Sequence, residues 1–385
     1  MKNKKIIGMI LVVLLVGTSL VGLTGCSNTV SQKVLKIGVI GPESGGAAQL
    51  GQGQRKAIQL AVDEINAQKL AGEWKLEAYF EDDEGNPTKS ASATNKLIQQ
   101  SQVNVIIGAI HSSATLADMV ITQRTGIPQL TAGSTGASIT EQGNKWVFRT
   151  AVNDEFQANA LLKYAKDVTK VTKIATLTAA DDYGQSGEKL LIIAAQKEGL
   201  ELTNKSTYNN GDKDFKPQLL SIKDSGAQAI FMWGLYNDAA LIAKQAKQLG
   251  LNVQLFGASG MAAQKLIELG GDAVQGLILT QTFLPSSPDQ KVSEFVNKYK
   301  NQYQEDPIPH AAQAYDTVYI LADAVKKANS NKPDALRDAI AKTTGLKLVT
   351  GNPQFDDKGN DIGKHLLITA IKGNMYELIQ TVSTN

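Results

Sequence analysis

The alternation that decides the fold begins with the stretch LKIGVI, residues 35–40, a short apolar run typical of a buried strand. Residues 52–67 follow with apolar side chains at helical spacing, and residues 74–80 return to the pattern of a strand. Strands that alternate with helices in this way predict parallel sheets covered by helices on both faces. We therefore expect an α/β fold.

The same alternation continues to the end of the chain. Further strands are expected at residues 103–108, 173–178, 200–207, 229–233, 253–256 and 277–280. Further helices are expected at residues 88–100, 113–125, 153–168, 184–198, 215–224, 238–249, 289–303, 310–329 and 333–343. Residues 365–371 and 375–381 predict a terminal hairpin. This number of strand–helix units is too large for one open sheet. A chain of 385 residues is long enough for two doubly wound lobes.

The N-terminus has the features of an export signal. Three lysines occur within the first five residues, an apolar run spans residues 6–23, and the sequence LTGC ends at Cys26. A transmembrane anchor is the alternative, because the run barely reaches spanning length. LTGC resembles the bacterial lipobox, in which the cysteine is diacylated. We therefore expect a signal peptide at 1–25, a tether at 26–33 and a lipid anchor at Cys26 on the extracytoplasmic side of the cell membrane.

The charge of the chain excludes two classes of partner. The formal net charge is +2, and removal of the three lysines of the signal segment leaves −1. Proteins that bind nucleic acid or lie on membrane surfaces need dense positive faces. We expect neither a nucleic-acid partner nor adhesion to a membrane other than through the lipid anchor.

Two loops of the first half are candidate ligand-binding segments, and the first of them follows an expected strand, where an open parallel sheet binds its ligands. In residues 108–115, Ser112 or Ser113 is either a helix N-cap or a donor to a carboxylate that rests on the free amides of the helix start. In residues 130–138, Gly133, Ser134 and Thr135 are small enough for the backbone to approach a ligand, although unliganded loops of this composition are common.

In the second half, Asp182 and Tyr183 open one helix and Tyr236 precedes another. The acids serve as helix N-caps or as partners of an ammonium group, and N-capping is the stronger interpretation for each. The three histidines lie far apart in sequence, without the spacing of metal ligands, and no Gly-x-Ser-x-Gly motif is present. We expect no enzymatic activity, no metal and no cofactor.

Several motifs occur together in an order that resembles one family. They are KIGVIGP at 36–42, DD at 82–83 with NP at 86–87, GAIHSS at 108–113, DYG at 182–184, DF at 214–215 and FDDKG at 355–359. Together they resemble the leucine/isoleucine/valine-binding family of ABC transporter substrate-binding lipoproteins, the type I periplasmic binding proteins. The resemblance covers the chain from about Val34 to its C-terminus.

The resemblance implies two Rossmann-like lobes, joined by three crossovers, that close on a ligand. By similarity, lobe 1 comprises residues 34–150 and 281–347, and lobe 2 comprises residues 151–280 and 348–385. The crossovers then lie near Thr150, Thr280 and Leu348.

The resemblance also implies roles for individual residues. Ser112 matches the serine that binds the ligand carboxylate, Gly133 supplies a carbonyl facing the ammonium, and Thr135 supplies a second hydroxyl. Tyr183 and Tyr236 match tyrosines that line the cleft from lobe 2.

Two positions depart from the family pattern. Ser259 stands where the branched-chain binders place a glutamate against the ammonium, and Leu50 stands where they place an aromatic side chain. Asp182 and Asp238 are the candidates to compensate for the lost carboxylate.

The implied function is the capture of a small polar solute, most simply a branched-chain or other aliphatic amino acid, by a monomer that delivers it to an ABC permease and ATPase. Because the family glutamate is missing, an amide, urea-like or carboxylic-acid ligand without an ammonium group is the alternative. A ligand sensor for a membrane signalling protein is the alternative from another functional class.

Overall fold

The computed structural model describes residues 32–383. The predicted signal peptide, the predicted lipidation site at Cys26 and nearly all of the predicted tether lie outside the described residues. Within 32–383, no helix combines the length and the apolar character needed to cross a membrane.

The first sheet is parallel throughout and has five strands. They are β1 (Lys33–Gly41), β2 (Trp74–Asp82), β3 (Val105–Ile107), β4 (Gln129–Thr131) and β5 (Val147–Arg149), in the spatial order β2-β1-β3-β4-β5. Four helices connect them: α1 (Ala48–Gln68), α2 (Pro87–Lys96), α3 (Ser112–Thr125) and α4 (Ser138–Glu141). The order reverses at β1, and the loops after β1 and β3 therefore lie side by side at the carboxyl edge of the sheet.

The chain then builds most of a second sheet. Its strands are β6 (Lys173–Ala179), β7 (Glu201–Tyr208), β8 (Ala229–Trp233), β9 (Gln254–Gly257) and β10 (Ile278–Gln281). Five helices accompany them: α5 (Asp154–Tyr164), α6 (Asp182–Glu198), α7 (Lys216–Asp224), α8 (Tyr236–Gln248) and α9 (Gln264–Gly270). Strand β8 is buried along its whole length, and its Phe231 stacks on Phe256 of β9 with ring centroids 4.6 Å apart. This pair lies in the core of the second sheet.

The last part of the chain contributes elements to both lobes. The helices α10 (Gln290–Tyr303), α11 (Pro309–Ala328) and α12 (Pro333–Ala341) return to the first sheet, where α11 packs along α1. The antiparallel strands β11 (His365–Lys372) and β12 (Met375–Ser383) then complete the second sheet, in the order β12-β11-β10-β9-β8-β6-β7. The predicted terminal hairpin is confirmed as an edge of this sheet.

We call the first sheet with α1–α4 and α10–α12 lobe 1, and the second sheet with α5–α9 lobe 2. The chain passes between them after β5, after β10 and before β11. The predicted fold, two doubly wound lobes with three crossovers, is confirmed. The predicted residue boundaries of the lobes stay a prediction.

Candidate functional site

The start of α3 is open toward the space between the lobes. The N-cap residue is His111, whose backbone is extended and whose side chain forms no capping hydrogen bond. Ser112 is the first helical residue, so neither Ser112 nor Ser113 is the N-cap. The first amides of a helix have no partner within it, and they attract negative charge.

Two hydroxyl contacts hold the loop 133–136 against α3. Ser112 Oγ accepts a hydrogen bond from the amide of Gly136 over 3.3 Å, and Thr115 Oγ1 lies 2.6 Å from Ser134 Oγ. Ser134 also donates to the carbonyl of Ile110 over 2.9 Å. The hydroxyl of Ser134 therefore points into lobe 1 and fixes the loop.

Arg149 holds the opposite side of this loop. Its guanidinium is buried and donates to the carbonyls of Thr135 over 2.8 Å and Gly136 over 2.6 Å. Because the carbonyl and the next amide of a peptide point in opposite directions, the amides of Gly136 and Ala137 face away from Arg149. The amide of Ala137 donates across the gap to Ser186 Oγ in lobe 2, over 3.1 Å.

A small cavity lies between the lobes at this point. It offers about 20 Å³ to the centres of water molecules, enough for one or two waters. Both lobes line it, with Leu50, Ile110, His111, Ser112, Gly133, Thr135 and His310 from lobe 1 and Tyr183, Leu235 and Gly260 from lobe 2.

The lobes touch around the cavity. The amide of Gln49 in α1 donates to the hydroxyl of Tyr236 over 3.3 Å, and the amide of Lys265 donates to Oε1 of Gln49 over 3.0 Å. The side chain of Asn237 donates to the carbonyl of Gly46. With these contacts in place the structure is closed.

Five of the residues predicted from the sequence line this cavity: Leu50, Ser112, Gly133, Thr135 and Tyr183. The hydroxyl of Tyr183 accepts a hydrogen bond from the amide of Gly260 over 3.4 Å. Burial raises the pKa of Tyr183 well above its ordinary value.

The other five predicted residues are not among those that line it. Ser113 lies one residue further along α3, and Ser134 binds inside lobe 1 as described above. Asp182 is exposed in the first turn of α6. Tyr236 lies at the contact between the lobes, and the amide of Ser259 donates to Oε1 of Gln157 over 3.0 Å.

Sequence reasoning missed a buried carboxylate that does not itself line the cavity but lies close to Thr135 and Tyr183, which do. Asp154, the first residue of α5, is fully buried, and its amide donates to the carbonyl of Thr135 over 3.0 Å. Burial raises the pKa of Asp154 to about 6, against the lowering effect of Thr135, the charge of Arg149 and the neighbouring Ser186 and Trp233. Neither carboxylate oxygen completes a hydrogen bond with any residue of 32–383. A buried carboxylate in this state is suited to a cationic partner.

Two histidines that are distant in sequence meet at the cavity. Burial lowers the pKa of His111, and burial together with His111 lowers the pKa of His310 to about 4. The Nδ1 atoms of both are buried and have no hydrogen-bond partner in the described part of the chain. Between residues 32 and 383, no group of three or more His, Cys, Asp or Glu side chains is placed to hold a metal ion.

The comparisons with known proteins agree on one family. The sequence profile of the periplasmic binding proteins matches residues 34–374. The leucine-, isoleucine-, valine-, threonine- and alanine-binding protein of Pseudomonas aeruginosa is 28% identical, over 87% of this chain and 89% of that protein. The Leu/Ile/Val-binding protein homolog 1 of Brucella abortus is 30% identical, over 84% of this chain and 86% of its own.

Solved structures of similar proteins have the same fold as this chain. The leucine-binding protein LivK of Thermotoga maritima superposes with a TM-score of 0.86 at 28% identity, covering 91% of this chain and 99% of that one. The branched-chain amino acid transporter substrate-binding protein LivJ of Streptococcus pneumoniae, solved with isoleucine, gives 0.84 at 28% identity, with the same coverage. These relatives are named as binding proteins, not enzymes. The chain therefore belongs to the type I periplasmic binding proteins, in the family of the leucine/isoleucine/valine-binding proteins.

Proposed function

We propose that this chain is the solute-binding component of an ABC importer and that it encloses a small aliphatic α-amino acid between its lobes. In this proposal the protein is exported, anchored by lipid at Cys26 on the extracytoplasmic side of the membrane, monomeric and without catalytic activity. Its partners are an ABC permease and its ATPase.

The observation that carries the proposal is an anion site in the wall of the cavity together with a buried carboxylate close to Thr135 and Tyr183 of that wall. The open start of α3, the hydroxyl of Ser112 and the hydroxyl of Thr135 suit the α-carboxylate of the solute. Asp154, which is bonded to Thr135 through its amide, suits the α-ammonium. Opposite charges held side by side match the zwitterionic end of an amino acid.

Asp154 is our candidate for the carboxylate that is missing at Ser259. The family glutamate is missing there. Neither Asp182 nor Asp154 lines the cavity, but Asp182 is exposed, whereas Asp154 is buried close to Thr135 and Tyr183. Asp154 supplies a carboxylate from another element, the first turn of α5. This favours an amino acid over an amide, urea-like or carboxylic-acid solute that lacks an ammonium group.

The names of the relatives support the same solute class. The Pseudomonas aeruginosa protein is named for leucine, isoleucine, valine, threonine and alanine, and the Streptococcus pneumoniae structure contains isoleucine. All five have uncharged side chains.

The closed cavity implies how the solute enters. Room for one or two waters does not admit an amino acid, so the lobes must stand further apart than in this structure both to admit the solute and to hold it. Closure then adds the contacts of Tyr183, Leu235 and Gly260 from lobe 2. The affinity of such a protein depends on these contacts of the closed state.

A thermal-shift screen tests the proposal. We would compare the twenty amino acids with amides, urea and small carboxylic acids. A solute at 100 times its dissociation constant should stabilise the fold by about 2.7 kcal/mol. Stabilisation by amino acids but not by their carboxylic-acid analogues supports the proposal. Stabilisation by the analogues alone, or a turnover product in the assay, would overturn it.

A further inference from the structure

The cavity contains polar groups beyond those that the α-carboxylate and α-ammonium would use. Leu50, Ile110 and Leu235 supply aliphatic surface, as expected around an aliphatic side chain. His111 and His310 also line the cavity, and each has a buried Nδ1 without a partner among residues 32–383. Buried polar atoms are normally hydrogen-bonded, so these two atoms call for a partner that the protein does not supply.

His310 is the better placed of the two to receive a solute group. It is the second residue of α11, only 5% exposed, and its neighbour Pro309 has no amide proton to offer. A purely aliphatic solute against this imidazole offers its nitrogen no hydrogen bond. A solute with a hydrogen-bonding group would satisfy it.

The ring of His111 is fixed by its surroundings. A Cβ built on Gly85 would lie 2.6 Å from Cε1 of His111, so the imidazole packs directly on the backbone of the loop after β2. Gly85 has a φ of +71°, a conformation that side chains other than glycine rarely adopt. The acidic group that faces His111 from lobe 2 is Asp181, the N-cap of α6.

We propose that His310, with His111 beside it, binds the side chain of the solute, and that this side chain carries an uncharged hydroxyl or carboxamide group. The proposal deepens the proposed function and rests on it.

The charge state of the two imidazole rings indicates which class of solute side chain they bind. Burial keeps both imidazoles neutral near pH 7, because it lowers both pKa values. A neutral imidazole presents one N–H donor and one acceptor nitrogen. A hydroxyl or a carboxamide both donates and accepts, whereas a carboxylate only accepts and an ammonium only donates. Charged side chains would also lose their hydration in a cavity with so much aliphatic surface.

Calorimetry with matched solutes tests this on the full protein. Threonine and valine have nearly the same shape and differ in one hydroxyl, and asparagine and leucine differ in a carboxamide. We expect threonine to bind at least about tenfold more tightly than valine, and asparagine more tightly than leucine, since a site built for a polar group discriminates strongly against its absence. Equal or weaker binding of the polar member of both pairs would overturn the proposal.

The matched variants are His310→Leu and His365→Leu. His365 is the third histidine of the chain and is exposed on β11. His310→Leu should lower the threonine-to-valine ratio of affinities by about tenfold or more, and His365→Leu should leave it unchanged. An unchanged ratio in a folded His310→Leu protein would contradict the proposal while amino-acid binding itself, and so the proposed function, still held.

Nitrogen NMR on the unmodified protein covers the case in which His310→Leu does not fold. With three histidines in the chain, ¹⁵N-histidine labelling gives few ring signals to assign. Addition of threonine should shift the ring nitrogens of two histidines and leave those of exposed His365 in place. If threonine binds and no ring nitrogen shifts, the proposal fails. If no amino acid binds at all, the proposed function fails, and this inference fails with it.

Discussion

Arg149 Nε donates a hydrogen bond to Oδ1 of Asn360 over 3.0 Å, which joins the end of β5 to the last crossover between the lobes. The same guanidinium holds the carbonyls of Thr135 and Gly136. One buried cation therefore connects the loop 133–136 to the segment that makes the last crossover between the lobes. Burial lowers the pKa of Arg149 to about 10, so the group keeps its charge near pH 7.

Replacement of Arg149 by lysine should weaken both solute binding and the fold. Lysine has no planar fork and cannot reach the carbonyls of Thr135 and Gly136 and the side chain of Asn360 at once. We expect a loss of roughly 2–4 kcal/mol in the free energy of unfolding, from hydrogen bonds to a charged group, and at least tenfold weaker binding. Urea unfolding and calorimetry measure the two effects.

The matched control is Arg55→Lys. Arg55 is partly exposed, pairs with Glu43 over 2.6 Å and lies over the ring of Phe80. Exposed ion pairs contribute about 1 kcal/mol or less, so this variant should bind the solute as the unmodified protein does. Equal behaviour of the two variants would show that Arg149 does not position the loop.

Asp154→Asn should abolish amino-acid binding without harming the fold. The asparagine keeps the shape of the side chain and removes a buried charge that completes no hydrogen bond within residues 32–383. Loss of one partner of a buried charge pair weakens binding by about 2–5 kcal/mol. The control is Asp182→Asn, at the exposed position that the sequence suggested as an alternative. If Asp182→Asn lost affinity and Asp154→Asn did not, our assignment of the ammonium to Asp154 would be wrong.

The same carboxylate predicts a pH dependence. Burial raises the pKa of Asp154 to about 6 in the protein without solute. Below that pH the carboxyl group is protonated and has no charge for an ammonium. The affinity for an amino acid should therefore fall as the pH is lowered from 7 to 5, as calorimetry at several pH values would show. Constant affinity over this range would exclude Asp154 as the partner.

Ser112→Ala and Thr135→Ala should each weaken solute binding by about 1–3 kcal/mol and leave the fold intact. Ser113→Ala is the control, because Ser113 adjoins Ser112 and does not line the cavity. Calorimetry gives the affinities, and circular dichroism verifies the fold. If the affinity is unchanged in both Ser112→Ala and Thr135→Ala, the carboxylate of the solute does not bind at these two residues.

The sequence predicted the longer elements of the fold well. Strand β8 begins and ends at the predicted residues, since a continuous apolar run has sharp edges. The strands β4 and β5, of three residues each, and the helices α4 and α9 were not predicted. β3 also has three residues, but it lies in a continuous apolar run, whereas β4 and β5 contain polar residues and so lack that signal. The pairing of β4 with β3 and β5 comes from tertiary contacts.

The site was predictable where it depends on loops after strands. Ser112 follows β3, which was predicted, and such loops lie at the ligand-binding edge of a parallel sheet. Thr135 follows β4, which was not predicted, and was found from the small and hydroxyl residues of its loop and from the family resemblance. Asp154 looked like any acid in the first turn of a helix, because nothing local distinguishes it. His310 reaches the cavity only because α11 packs along α1, a long-range contact that no spacing in the sequence reports.

A second buried acid predicts how stability depends on pH. Asp118 of α3 is fully buried; Oδ2 accepts from Ser90 Oγ over 2.8 Å, and Oδ1 has no partner in the described chain. Burial, with a smaller effect from the charge of Asp83, raises the pKa of Asp118 from 3.8 to about 7. The folded state then holds a proton that the unfolded state releases between pH 4 and 7, so the contribution of Asp118 to stability declines as the pH rises through this window.

Asp118→Asn removes that dependence, because the amide is neutral at every pH and still accepts from Ser90. At pH 8 the variant should exceed the unmodified protein in free energy of unfolding by roughly 2–4 kcal/mol, and near pH 4 the two should be nearly equal. Urea unfolding at both pH values measures the difference. The control Asp224→Asn changes an exposed acid at the end of α7 and should give the same small effect at each pH. A variant that is less stable than the unmodified protein at pH 8 would mean that contacts in lobe 1 stabilise the ionised carboxylate.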